Sequence, residues 1–418
     1  MDITLMHPAE QIVTFMNRIY KNRLTTTSGG NISVRDSQGN IWITPAGVDK
    51  GTLTKDDICL IRKNGVAAET NRHAPSIEYA MHAHIYKRRR DIQAVIHAHP
   101  TSLVAFSLVH KLPRLLNTRV GHVPYSLPGK RKLGHDVSVV IGTGYNVVMM
   151  DNHGAVSVGD DILNAYANFE QLEHAAQTEL YGQKLGTVRT LPQLQAPVMS
   201  PMPKTKAKAM TTHEIALRNE LATLTRRAAN QGLFTASGGA FSTRLNATDF
   251  LIIPEKVDRY TITEADIIRV SGRGIPTGTK QIPSLWTRIH RLIYDTHADV
   301  HAIIGASPPS IAAFLVTDAA FDTSTIPESY MMLRTVQSAT WDKLHEPSEI
   351  VQLLSPQTPS VLIENTQMLV TATTAIKAFD RLEVACATAK SLIQVQELGE
   401  IIRISDEDIS LIEKAFPL

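Results

Sequence analysis

The chain repeats itself. Thr27-Ser28-Gly29-Gly30-Asn31-Ile32-Ser33-Val34-Arg35 recurs as Ala236-Ser237-Gly238-Gly239-Ala240-Phe241-Ser242-Thr243-Arg244. Ile43-Thr44-Pro45 recurs as Ile252-Ile253-Pro254, and Thr54 to Ile58 as Thr263 to Ile267. Pro75-Ser76-Ile77-Glu78 recurs as Pro283-Ser284-Leu285-Trp286, and Ala94 to Pro100 as Ala302 to Pro308. Order and near-constant spacing over five segments exclude chance. A chain of 418 residues built this way folds as two like units of about 200 residues each, not as one large domain. Between the copies stand Pro192, Pro197, Pro201 and Pro203, then Lys204, Lys206 and Lys208. Such a run reads as a stiff, extended linker. The expected organisation is residues 1–195, a linker at 196–209, and residues 210–418.

Within the first copy helix and strand patterns alternate. His7 to Arg23 has helical apolar spacing, and Ser76 to Arg90 is a second helix that Pro75 opens. Asn31 to Arg35, Gly39 to Thr44, Ala94 to His97 and Asn146 to Met150 read as short strands, and Asp160 to Leu185 as a long amphipathic helix. This is an α/β layered arrangement around a central sheet.

The remaining composition excludes several classes. An apolar fraction of 43% supports two cores, while a formal net charge of +2 gives no footprint for a nucleic-acid partner. The basic run Lys87-Arg88-Arg89-Arg90 sits at a helix end, where cations suit the helix dipole. No apolar run reaches the roughly 18 residues that cross a membrane. The start, Met1-Asp2-Ile3, has no basic stretch leading into an apolar one, so a secretory signal is not expected. Cys59 and Cys386 are the two cysteines, too few for a disulfide framework, which points to the reducing cytoplasm.

Chemistry concentrates in the first copy. His97 and His99 stand two apart on a strand, so both imidazoles leave the same face and can meet one ion. His153 follows another strand and precedes Gly154, where it can converge on the same point. Glu78, near the start of a helix, completes four ligands or acts as a base. Imidazole suits Zn²⁺ and similar divalent ions. The second copy supplies a test. It keeps the framework but has Trp286, Gly305, Ser307 and Thr366 where the first has Glu78, His97, His99 and His153. Joint loss of four residues means that they served one purpose. The Ser28-Gly29-Gly30-Asn31 and Thr44-Pro45-Ala46-Gly47 turns form a second feature, because successive glycines let backbone N–H groups approach an anion.

Taken together, these residues resemble the class II aldolase/adducin family over essentially one whole repeat. The resemblance implies a three-layer α/β/α unit with a mainly antiparallel sheet, present twice, the second copy being adducin-like and without the site. It implies that His97, His99 and His153 hold a divalent metal, most simply Zn²⁺, although Mn²⁺ and Co²⁺ suit the same donors. Glu78 would bind the free metal and carry protons. Ser28, Gly30, Asn31, Gly47 and Ser76 match positions that hold a substrate phosphate. Ala46 and Ile77 depart from that pattern, each lacking a hydroxyl. That loss, roughly 1.5–3 kcal/mol per charge-assisted hydrogen bond, brings unphosphorylated oxo-acids into consideration. Gly129-Lys130-Arg131-Lys132 reads as a solvated loop, and Tyr125 is the nearest counterpart of the family's active-site tyrosines.

The expected activity is carbon–carbon lyase chemistry on a small hydroxy-ketone or oxo-acid, through an enediolate or enolate whose charge the metal stabilises. Aldolase-type cleavage comes first and decarboxylation of an oxo- or hydroxy-acid second. Epimerase and dehydratase activities occur in the family, and a non-catalytic, adducin-like scaffold is the competing class. The family's sites lie between subunits of a four-fold ring. The resemblance therefore implies a homo-oligomer in which two tandem chains build a pseudo-tetramer.

Overall fold

The computed structural model describes residues 3–116, 118–190, 209–272, 275–277 and 281–416. Of the expected linker only Ala209 is described. The fold divides into two compact units, Met1–Gln177 and Thr178–Leu418.

The first unit runs α1 (Pro8–Lys21), β1 (Asn31–Arg35), β2 (Ile41–Ile43), β3 (Cys59–Ile61), α2 (Tyr79–Arg88), β4 (Ala94–Ala98), α3 (Thr101–Leu108), β5 (Val120–Val123), α4 (Arg131–Gly142), β6 (Val147–Met150), β7 (Gly154–Gly159) and α5 (Ile162–Leu185), the last reaching past the unit's boundary. Its seven strands lie in the order β3-β2-β1-β4-β7-β6-β5. Every neighbouring pair is antiparallel except β5 and β6. Strand alternation sorts the side chains between two faces. Val95, Val148, Met150, Val156 and Val158 pack with Met81 and Ile85 of α2 and with Leu133, Val137 and Ile141 of α4. On α1 and α5, Phe15 and Tyr166 are fully buried with ring centroids 5.3 Å apart.

The second unit repeats this plan with α6 (Thr212–Asn230), β8 (Ala240–Arg244), β9 (Phe250–Ile252), β10 (Ile268–Val270), β11 (Pro276–Thr277), α7 (Thr287–Thr296), β12 (Ala302–Ala306), α8 (Pro309–Leu315), α9 (Pro327–Leu333), β13 (Val336–Ala339), α10 (Pro347–Gln352), β14 (Ser360–Ile363), β15 (Gln367–Ala372), α11 (Ala375–Gln394) and α12 (Asp406–Ala415). The sheet order is β11-β10-β9-β8-β12-β15-β14-β13, with only β13 and β14 parallel. Here Ile303, Val361 and Leu369 pack with Ile289 and Ile293 of α7 on one face. Ile304, Leu362 and Val370 pack with Leu221 of α6 and Phe379 of α11 on the other. Each unit is thus an α/β domain with a mainly antiparallel sheet. Equivalent turns are closed alike, by the capping boxes Thr54/Asp57 and Thr263/Asp266.

Two details differ from the sequence reading. Helix α2 starts at Tyr79, not Ser76, so Glu78 is its N-cap residue with φ −94° and ψ 9°. Lys130-Arg131-Lys132 is not a loop: Lys130 caps α4 and the other two form its first turn. The cations stand at the unfavourable end of the helix dipole. An i,i+4 contact of 2.6 Å from Lys132 Nζ to Asp136 offsets part of this. Among the described residues no helix is long and apolar enough to cross a membrane.

Candidate metal centre

Strand register brings the centre together. Asn31 opens β1 opposite His97 on β4, and His97 in turn faces Val156 on β7. His99 lies just past β4, and His153 in the turn between β6 and β7. One nitrogen from each of His97, His99 and His153 can be chosen so that all lie within 4.8 Å of one another. His97 is fully buried, and Glu78 is 7% exposed. Glu78 Oε2 lies 3.2 Å from His97 Nε2, and Oε1 lies 3.7 Å from His153 Nε2. His97 Nδ1–H donates to the Ala155 carbonyl at 2.9 Å, which turns Nε2 inward. There it stands 3.0 Å from His99 Nε2.

The electrostatics suit a cation. Burial opposes ionisation of Glu78, yet the His97 imidazole beside it, with hydrogen bonds from His97 and Asn31, holds the carboxyl well below the usual carboxylate range. His97 also loses solvation on burial, but the same carboxylate outweighs that and raises its pKa. Burial and the neighbouring His97 push His99 down to about 3 and His153 to about 4, so both imidazoles are neutral, as metal ligands must be. Two buried polar atoms, Glu78 Oε1 and His153 Nδ1, have no hydrogen-bond partner. Buried polar groups are rarely left so. A carboxylate oxygen without a partner among three converging imidazoles fits the donor set of a divalent transition metal.

The anion-type turns are tied to this centre through the backbone. Lys50 N donates to the Thr27 carbonyl at 2.9 Å, Ala46 N to Ala74 at 2.9 Å, and Ser76 N to Thr44 at 3.1 Å. Ser28 and Gly47 are exposed, while Gly30, Asn31 and Ser76 are buried. Gly30 and Gly47 both have left-handed backbones, with φ of 70° and 69°. The structure uses Asn31 differently from the other four. Its Nδ2 donates to Glu78 Oε2 at 2.8 Å, and its Oδ1 accepts from His82 Nε2 at 2.5 Å. Tyr125 is exposed, in the segment between β5 and α4.

Sequence reasoning missed two residues. Lys50 is 2% exposed, and its Nζ pins the second turn through the carbonyls of Pro45 and Val48 at 2.8 and 3.1 Å. His82 is fully buried behind Asn31. Both recur, as Arg259 and His290, and carrying the self-comparison a few residues further would have found them.

In the second unit the corresponding space is filled. Gly305 faces Leu369 in the sheet, as His97 faces Val156. A Cβ on Gly305 would meet Gln367 Nε2 at 2.4 Å. Gln367 stands where the first unit has Gly154, so the side chain has crossed from one strand to its neighbour. Arg259 reaches the carbonyls of Gly238 and Val257 at 3.1 and 3.0 Å, which locks the two turns together.

Comparison with known proteins agrees with this reading of the chain. The profile of the family described as Class II Aldolase and Adducin N-terminal domain matches residues 10–180 and again 219–393. An "L-fuculose phosphate aldolase" of Methanococcus maripaludis is 35% identical over 40% of this chain and 93% of its own length. A "3-oxo-tetronate 4-phosphate decarboxylase" of Haemophilus influenzae is 30% identical over 42% of this chain and 89% of its own. A "5-deoxy-D-ribulose 1-phosphate aldolase" of Bacillus thuringiensis is 28% identical over 45% and 92%. With its domain matched twice, and with aldolases and a decarboxylase as relatives, the chain belongs to the class II aldolase and adducin family as a tandem duplicate, on the enzymatic, aldolase/lyase side.

Proposed function

We propose that the first unit cleaves a carbon–carbon bond in a small hydroxy-ketone or oxo-acid by aldolase-type chemistry, with a divalent metal held by His97, His99, His153 and Glu78. The observation that carries this reading is the buried, unpartnered Glu78 Oε1 among three converging imidazoles. A divalent ion in that position, Zn²⁺ being the best match to the donors, would act as a Lewis acid toward the charge that develops as the bond breaks. The chain's own part is proton handling. Glu78 Oε1 would bind the ion in the absence of substrate and, with substrate in its place, would be the atom that takes or delivers a proton, while Oε2 stays anchored by Asn31. Burial at 7% exposure limits bulk water at that carboxylate.

The substrate's anionic group is assigned to Ser28, Gly30, Asn31, Gly47 and Ser76, on turns stitched together by the backbone bonds above, Asn31 Nδ2 keeping a second hydrogen beyond the one given to Glu78. All three relatives are named for phosphates of sugars or oxo-acids, which supports a phosphorylated substrate despite Ala46 and Ile77. Decarboxylation is the second reading, favoured by the relationship to the oxo-tetronate phosphate decarboxylase. Loss of CO₂ leaves a carbanion like that of retro-aldol cleavage, and the same carboxylate can return its proton.

The second unit is non-catalytic in this reading, because Trp286, Gly305, Ser307 and Thr366 replace the four ligands and Gln367 lies against Gly305. Residues 1–195 and 210–418 are the two domains, and the chain works as a homo-oligomer in the cytoplasm, a compartment that suits two free cysteines. Metal analysis of protein purified without chelator tests the core of this. About one divalent ion per chain is expected, lost in the double variant His97→Ala/His99→Ala. Sugar phosphates and oxo-acid phosphates are then assayed for aldehyde or CO₂ release. Metal-free protein that takes up no added Zn²⁺ would sink the catalytic reading in favour of a scaffold.

A further inference from the structure

Behind Glu78 runs a continuous buried chain of hydrogen bonds. Glu78 Oε2 accepts from Asn31 Nδ2 at 2.8 Å, and Asn31 Oδ1 accepts from His82 Nε2 at 2.5 Å. His82 Nδ1 lies 2.7 Å from Ser33 Oγ, which lies 2.8 Å from the Tyr86 hydroxyl. Tyr86 OH also donates to the Ser33 carbonyl, at 3.0 Å. Asn31, His82, Ser33 and Tyr86 are each at most 4% exposed.

The polarity of this chain is determined from one end. An ionised carboxylate only accepts, so Asn31 must present Nδ2 to Glu78 and Oδ1 to His82. The imidazole must then carry its proton on Nε2 and accept at Nδ1, which the Ser33 hydroxyl supplies. The second unit keeps the inner half alone. Ser242 Oγ lies 2.8 Å from both His290 Nδ1 and the Tyr294 hydroxyl, as in the first unit. Ala240 and Trp286 stand where Asn31 and Glu78 would be. His290 Nε2, fully buried, has no partner. The serine–imidazole–tyrosine half thus folds without a metal site, and what the first unit adds is the connection from Nε2 outward.

We propose that His82 is a positioning residue for the metal centre: through Asn31 it fixes the Glu78 carboxylate with one oxygen held and the other turned toward His97, His99 and His153. Without the His82 donor, Asn31 is free to rotate its amide and present Oδ1 to a carboxylate that repels it. The inference rests on the metal-site reading above and concerns a residue outside the ligand set.

The test is a double-substitution cycle on the full-length protein, read by Co²⁺ titration after chelator treatment, using the visible absorption of the bound ion. Asn31→Ala recreates the arrangement already present at Ala240, so it is expected to fold. His82→Leu and Asn31→Ala should each weaken Co²⁺ binding about 10–100-fold, the usual range for a group that orients a ligand. The double variant should be no weaker than either one, because both break the same relay. His82→Gln, which restores an N–H near Nε2, should recover most of the affinity, and His290→Leu should leave it unchanged. Additive losses, or wild-type affinity in Asn31→Ala, would overturn the relay, and the Asn31→Ala and His82→Gln arms decide the matter even if His82→Leu does not fold. A wild-type protein that binds no Co²⁺ would instead defeat the metal reading, so the two failures are distinguishable.

Discussion

Glu173 shows how one buried acid can make stability depend on pH. It lies on α5, 4% exposed, with Oε1 accepting from Gln177 Nε2 at 2.7 Å and Oε2 unpartnered. Burial, opposed only by neutral hydrogen bonds from Gln177, Ser102 and the Leu103 backbone, pushes its carboxyl up to about 7 from 4.5. The folded state therefore binds this proton more tightly than the unfolded chain. The stability so gained is full below pH 4.5 and is lost as pH rises toward 7, a swing of roughly 3 kcal/mol. Glu173→Gln should raise the urea midpoint at pH 8, by roughly 1–3 kcal/mol in stability, with no gain at pH 4. Equal gains at both pH values would contradict the argument. The second unit has Cys386 at this place, 3.3 Å from Ser310 Oγ, so an uncharged partner satisfies the same helix contact.

At the scale of elements, two glycines with the same backbone twist separate strain from crowding. An added Cβ at Gly30 would meet the His97 carbonyl at 2.8 Å, whereas at Gly47 it meets nothing within 4 Å. Gly47→Ala should cost only the left-handed penalty, about 1–2 kcal/mol, with metal uptake unchanged. Gly30→Ala adds displacement of β4, bringing the loss to about 2–4 kcal/mol, and should weaken metal uptake. Urea unfolding and Co²⁺ titration check both. The same contrast explains what the sequence could reveal. The His97/His99 pair was legible because strand side chains alternate with a period of two, and that needs no tertiary knowledge. Strand patterns reveal β1, β2, β4 and β6, while β3, β5 and β7 were not legible in that way. The work of Asn31 was not legible, because an amide beside a glycine turn fits an anion and a carboxylate equally well. Only the β1–β4 register and the approach of α2 direct it to Glu78. Lys50 was hidden for a similar reason: its partners are carbonyl oxygens, which carry no residue identity.

At the scale of the whole molecule, the duplication predicts stoichiometry. Elemental analysis should find one divalent ion per chain, not two. Gly305→His should leave that count at one, since Gln367 fills the space a new imidazole needs. A rise toward two ions would contradict the filled-site description. The orphaned Nε2 of His290 has a wider consequence. An unpartnered buried polar atom costs about 1–3 kcal/mol. Yet the Ser242 hydroxyl bonds both this imidazole and the Tyr294 hydroxyl, and replacing the imidazole would remove one of its two partners. The second copy thus carries the brace without the ligands it braces, so a buried serine–imidazole pair in one half of this duplicated fold marks the place where the other half gathers its candidate metal ligands.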